Sequence, residues 1–148
     1  MNAKTILAAV DFSDVTPRLL EAAAAMAKAF DGRIILLYVE EPEPEFVGFE
    51  AGPQPVRVSV AHEARASHRQ LEQLKQQLAG EQFDVVALHI QGSSVEKILW
   101  EAREQAVDLI VIGSHGHGAF YNLLVGSVAS GVLKGTPCPV LVVPAPGK

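Results

Sequence analysis

The sequence predicts an α/β fold, a single open, doubly wound, five-stranded parallel sheet with helices on both faces. Two observations carry that expectation. Short apolar runs rich in branched residues recur at 5–10, 34–39, 83–90, 109–113 and 140–143, and such runs read as strands buried on both faces. Between most of them, apolar residues fall three or four apart, which is the period of a helix with one buried face. Strand and helix alternating in this way imply parallel pairing through right-handed crossovers. A chain of 148 residues is expected to form one domain spanning 1–148, large enough to bury about 70% of its unfolded surface.

In chain order, Thr5 to Val10 forms the first strand and ends at Asp11. Phe12-Ser13-Asp14-Val15 turns the chain. Thr16 is the expected N-cap, with Pro17 at the first helical position. The helix then runs through Leu19, Leu20, Ala23, Ala27 and Phe30 to a stop at Asp31-Gly32. Its alanine run, Ala22 to Ala25, permits close approach to the sheet. Ile34 to Val39 is the second strand.

Beyond it, about 40–57, Pro42, Pro44, Pro53 and Pro55 with Gly48 and Gly52 resist regular structure and suggest a surface excursion with a solvated acidic run. From about Val58 to Leu78 an exposed helix ends near Gly80, with His62 and His68 on different faces as surface residues. Phe83 to Ile90 is the third strand. Gly92-Ser93 starts the next helix, where Ser93 and Glu96 have capping-box spacing. Trp100 on that helix is expected to pack against a neighbour. Thr136-Pro137-Cys138-Pro139 ends the last helix before the fifth strand, Val140 to Val143.

Composition narrows the function classes. A formal charge of -5 argues against non-specific nucleic-acid binding, which depends on clustered Lys and Arg. The N-terminus enters a strand without a long apolar segment, so neither a signal peptide nor a membrane span is expected and a cytoplasmic location follows. Cys138 is the single cysteine; it cannot form an internal disulfide and reads as a small buried apolar residue.

The most informative stretch runs from Asp108 to Lys134. A buried strand, Leu109 to Gly113, leads into Gly116 and Gly118; nine residues separate Gly116 from Gly126-Ser127, where a short helix to Leu133 begins. Glycines at a strand's end permit positive φ and let a ligand touch bare main chain. The amides opening a helix lack internal partners and face the positive end of its dipole. Phosphate suits that environment, with a directed donor at Ser127. The pattern is neither the P-loop nor the dinucleotide fingerprint, and the same glycines could serve only a tight strand-to-helix connection.

Periodicity leaves the strand order open. If strands one to three run one way and four and five the other, the order is 3-2-1-4-5, and ligands bind at the reversal, outside the carboxyl ends. Asp11 and Gly113 would then border one crevice.

The run Gly113-x2-Gly116-x9-Gly126-Ser127, flanked by IVIGSHGHG and SVASGVLKGTPCPVLVV, together with ILAAVDFS around Asp11, resembles the universal stress protein family in its ATP-binding branch. The resemblance covers nearly the whole chain and is weakest over the proline-rich excursion. It implies a Rossmann-like sheet in the order above, a homodimer, and one adenine nucleotide per subunit. By that likeness, Asp11 with the main chain of Ala9, Val10 and Val39 would face adenine and ribose. Gly113, His115 and Gly116 would line the ribose and phosphates, and Gly126, Ser127, Val128 and Ala129 would hold the phosphates. Dimers of this family often pair through the last strand, here Val140 to Val143.

Two departures from many relatives stand out. The nine-residue spacer offers His117 but no Arg or Lys, so phosphate charge would rest on amides, Ser127 and a divalent cation such as Mg2+ or Mn2+. Position 129 is alanine where some relatives carry a hydroxyl.

The leading expectation is a regulatory protein of the stress response whose ATP-bound state is read by protein partners. A slow hydrolase or transferase using the same phosphate loop is the alternative from the enzyme class, although no general base, Walker lysine or arginine finger is identifiable. A nucleotide-free dimeric interaction module is the third. His115 and His117 lack an identifiable third ligand for zinc, and Ser13 lacks an assignable base, so no metal or catalytic residue is assigned.

Overall fold

The computed structural model describes residues 1–42, 54–115 and 125–146, with the side chains of residues 54–64 outside that description. Its elements are β1 (Thr5–Val10), α1 (Thr16–Phe30), β2 (Arg33–Glu40), α2 (Gln54–Gly80), β3 (Val85–Gln91), α3 (Ser94–Glu104), β4 (Leu109–Gly113), α4 (Ser127–Gly135) and β5 (Val140–Val143). All strand pairs are parallel, and the sheet order is β3-β2-β1-β4-β5. The order 3-2-1-4-5 and its reversal between β1 and β4 are therefore as expected.

The two faces of the sheet bury separate apolar layers. Ile6, Ala8 and Val10 of β1, with Ile34 and Leu36 of β2, pack against Leu19, Leu20 and Ala23 of α1 and Leu71 and Leu78 of α2. Leu7 of β1 and Ile35 and Leu37 of β2 pack on the other side with Ile98 and Ala102 of α3 and Ala129 and Val132 of α4. Alternation along each strand sends successive side chains to opposite layers. Because both layers are covered, the central strands read as unbroken apolar runs rather than as alternating ones.

Several local expectations are corrected. Thr16 is the first helical residue rather than the N-cap: Val15 is the cap, without a side-chain hydrogen bond, and Pro17 follows Thr16. The chain turns helical early because Thr16 N donates to Ser13 O at 3.1 Å and Leu19 N to Val15 O at 3.0 Å. The Thr16 and Ser13 hydroxyls are left buried without a hydrogen-bond partner among the described residues. Ser93 does cap α3 by position but makes no side-chain cap bond. Instead the Glu41 carboxylate accepts the Ser94 amide at 2.9 Å, so a residue leaving β2 supplies the negative charge that a helix N-terminus favours.

Helix α2 begins at Gln54, inside the expected excursion, because proline is tolerated in a first turn and Pro55 falls there. The rest of that excursion, 43–53, lies outside the described residues, as does the side chain of His62. His68 is exposed, its ring stacked 6.2 Å from that of His89. Trp100 is 53% exposed, so the expected packing against a neighbour is not found among the described residues. The strand expected from Phe83 begins at Val85.

Cys138 is half-buried against the second apolar layer. Burial pushes its thiol above the ordinary value and Asp108 adds to the rise, against a lowering hydrogen bond with Thr136. Less thiolate at a given pH means slower reaction. At pH 8, iodoacetamide is expected to alkylate Cys138 more slowly in the native protein than in 8 M urea, and equal rates would refute the burial argument.

Candidate functional site

The register brings the strand-end residues among those expected to one edge of the sheet. Ala9 pairs with Ile112 at the last step of the β1–β4 ladder, so the chain leaves β1 through Asp11 next to where it leaves β4 through Gly113 and Ser114. On the other side of β1, Val10 pairs with Tyr38, one residue before Val39. Ala9 and Val39 lie in the same apolar layer as Val125 and Val128. The tips of β1, β2 and β4 thus lie together at one edge of the sheet, and residues flanking the start of α4 share the apolar layer of Ala9 and Val39. Gly116, His117 and Gly118 lie outside the described residues.

Backbone geometry shapes the two polar flanks. The Asp11 carboxylate accepts the Ser13 amide at 3.0 Å, closing a local turn. Phe12 between them has φ 61, a left-handed conformation that costs free energy for a residue with a side chain. Its ring lies 4.7 Å from that of Tyr38, which lies 5.2 Å from His89. His89 in turn approaches the Glu40 carboxylate at 3.6 Å.

At the opposite flank, Gly126 caps α4, and the first helical bond is Ser130 N to Gly126 O at 2.9 Å. The amides of Ser127, Val128 and Ala129 therefore precede the intrahelical ladder, as the first turn of any helix requires. Ser127 is exposed. Ala129 is 2% exposed and Val128 partly buried, so these two offer main chain and not side chain.

Of the two reasons expected for glycine here, backbone freedom and bare main chain, the first is corrected at the described positions. Gly126 has φ -72 and ψ 171, which any residue can adopt, and Gly113 is not among the glycines of positive φ. Close approach requires them instead. A Cβ at Gly126 would come within 3.0 Å of the Ser114 carbonyl oxygen, and one at Gly113 within 2.7 Å of Val15 Cγ1.

Sequence reasoning missed Ser114. It is 6% exposed, its amide donates to Val143 O at 2.8 Å, and its carbonyl accepts the Gly126 amide at 2.6 Å. Its hydroxyl accepts the Ala145 amide at 3.2 Å and lies 3.0 Å from His115 Nδ1. A serine between two glycine-loop residues carries no periodic signal, and only the fold reveals these partners.

This arrangement, a helix start with main-chain amides outside the intrahelical ladder and a strand-end carboxylate at the same topological switch point, coincides with a family match. The universal stress protein family model matches residues 2–144. The chain belongs to the universal stress protein family. It is 36% identical over 143 residues to a universal stress protein of Thermus aquaticus, the match covering 95% of this chain and 98% of that one. Among solved structures, MJ0577 of Methanocaldococcus jannaschii superposes with a TM-score of 0.84 at 30% identity, covering 100% of both chains. The universal stress protein from Archaeoglobus fulgidus in complex with dAMP superposes with a TM-score of 0.65 at 20% identity, covering 97% of this chain and 99% of that one, a likeness of fold.

Within this family fold, no helix among the described residues is long and apolar enough to cross a membrane. Among those residues there is also no group of three or more His, Cys, Asp or Glu side chains that could hold a metal ion.

Proposed function

We propose that this universal stress protein binds an adenine nucleotide, ATP in the first instance, at the β1–β4 switch point and acts in the cytoplasm as a nucleotide-dependent regulator of the stress response. The observation that supports this reading is the start of α4, where the amides of Ser127, Val128 and Ala129 precede the intrahelical ladder and Ser127 is exposed, at the edge of the sheet where β1 ends in Asp11. Phosphate oxygens would accept from those amides, aided by the helix dipole. Asp11 would accept from ribose hydroxyls, while the apolar wall at Ala9, Val39 and Val125 suits one face of an adenine ring. Gly113 and His115 would lie along the ribose and phosphates, with Gly116 following them in the sequence motif. With no Lys or Arg in the spacer, Mg2+ or Mn2+ held by the phosphates themselves would offset part of their charge. The A. fulgidus neighbour's complex with dAMP supports an adenine nucleotide as the ligand class.

A homodimer is part of the same proposal. β5 pairs with β4 on one side only, and Val140, Leu141 and Val142 are half-buried in the isolated chain. An apolar edge of that kind is protected when a second copy covers it.

A ligand that binds the native but not the unfolded chain raises stability by mass action. Saturating Mg-ATP at 100 times its dissociation constant is expected to stabilise the protein by about 2.7 kcal/mol, or roughly 5–10 °C for a chain of this size. Small molecules released from gently purified protein should include an adenine nucleotide by mass spectrometry. No thermal shift together with no co-purified nucleotide would defeat the reading. Multiple turnovers of labelled ATP, lost on Ser127→Ala or Asp11→Ala, would move it to the hydrolase or transferase alternative.

A further inference from the structure

We propose that Ser114 is a positioning residue that couples nucleotide binding at the start of α4 to the chain leaving β5. This deepens the adenine-nucleotide reading and rests on it. Four polar contacts converge on one residue that is 6% exposed. Two are made by its main chain: the Gly126 amide donates to its carbonyl at 2.6 Å, fixing the cap of α4, and its own amide donates to Val143 O at 2.8 Å, fixing the last residue of β5. Two are made by its hydroxyl, which accepts the Ala145 amide at 3.2 Å and meets His115 Nδ1 at 3.0 Å.

A hydroxyl has one proton to give and two lone pairs. With one lone pair taken by the Ala145 amide, the proton or the second lone pair meets Nδ1 according to the ring's tautomer, so one hydroxyl serves tail and ring together. The tail is also held from the other side, where Arg18 Nη1 donates to the carbonyls of Pro144 and Ala145 at 3.3 Å each.

The connection has a direction that follows from geometry. A phosphate drawn onto the amides of Ser127, Val128 and Ala129 pulls on the cap at Gly126, and the shortest polar link from that cap runs through the Ser114 carbonyl to the strand that forms the sheet edge. Binding that fixes the start of α4 therefore fixes the β5 exit as well. By linkage, a β5 edge held in place favours nucleotide to the same degree. The Ser114 backbone bonds do not depend on its side chain, and alanine or threonine keeps both groups, so the hydroxyl is the part that these substitutions isolate.

The test compares wild type, Ser114→Ala and Ser114→Thr, titrated with Mg-ATP by calorimetry and followed by amide hydrogen exchange. In wild type, nucleotide is expected to slow exchange at the Ala145 amide. Ser114→Ala should bind roughly five- to tenfold more weakly, the loss of about one hydrogen bond's worth of organisation, and its Ala145 exchange should no longer respond to nucleotide. Ser114→Thr, which keeps the hydroxyl, should recover both. A purely structural serine would lower the melting temperature of Ser114→Ala without changing the response at Ala145. Wild-type affinity in Ser114→Ala, or an Ala145 amide indifferent to nucleotide in wild type, overturns the coupling and leaves nucleotide binding standing. Absence of binding in wild type itself overturns both.

Discussion

Gly126→Val is expected to weaken ATP binding on the order of 100-fold while the chain stays folded, as measured by calorimetric titration beside thermal unfolding followed by circular dichroism. An ideal Cβ at Gly126 would lie 3.0 Å from the Ser114 carbonyl oxygen and 3.5 Å from His115 Cα. Neither atom is the free end of a side chain, so α4 must shift away from β4 to make room for the valine. That shift stretches the 2.6 Å bond between the Gly126 amide and the Ser114 carbonyl and moves the amides of Ser127 to Ala129 with it. Hydrogen bonds to a charged group contribute about 1.5–3 kcal/mol each, so misplacing one or two accounts for the 100-fold loss, at 1.4 kcal/mol per decade. The core beneath α4 continues to Val132, farther along the helix, and should absorb the movement. A Gly126→Val protein that binds ATP normally would show that phosphate is not held at this helix start. One that fails to fold would show that the glycine serves packing alone.

The sheet was legible in the sequence because its strands are buried on both faces. LIVIG and TILAAV have no polar residue to interrupt them beyond the first, and the glycine-rich connection after β4 pointed to the same edge as Asp11. Less legible were features that depend on contacts between distant residues. Ser93 and Glu96 have the spacing of a capping box, yet Glu41, far away in sequence, takes the Ser94 amide. Thr16 has the chemistry of a cap, but the turn through Ser13 starts the helix one residue early. The glycines of the site were expected for both backbone freedom and bare main chain, and at Gly113 and Gly126 only the missing Cβ is used, against neighbours within the chain. The left-handed residue at this edge of the sheet is Phe12, where propensity gives no warning; its ring meets that of Tyr38 at a tilt of 41°. The half of the candidate site built from main chain is thus readable as a motif, and the half built from long-range hydrogen bonds, Ser114 above all, is not.

Gly32 provides the counter-experiment at the other end of the sheet. A Cβ there would lie 2.5 Å from the Ala3 carbonyl oxygen and 3.1 Å from that of Lys4. Ala3 is fully buried, and the Lys4 carbonyl already accepts the Arg33 amide at 2.9 Å, the bond that starts the β1–β2 ladder. Neither carbonyl can swing aside without breaking the entry to the central strand, and the positive φ that ends α1 is carried by Asp31, not by the glycine. Overpacking of this kind costs about 1–3 kcal/mol, and two backbone neighbours put Gly32→Val at the upper end, a fall in melting temperature of roughly 5–10 °C. Because Gly32 precedes β2 while the crevice follows it, ATP affinity measured well below the transition should stay within about twofold, since distant sites act independently. Opposite outcomes for two glycines that each exclude a Cβ would separate a close approach that holds the sheet together from one that shapes a ligand seat. If Gly32→Val instead weakens ATP binding as Gly126→Val does, the crevice depends on the whole sheet and the local account of its main-chain donors is wrong.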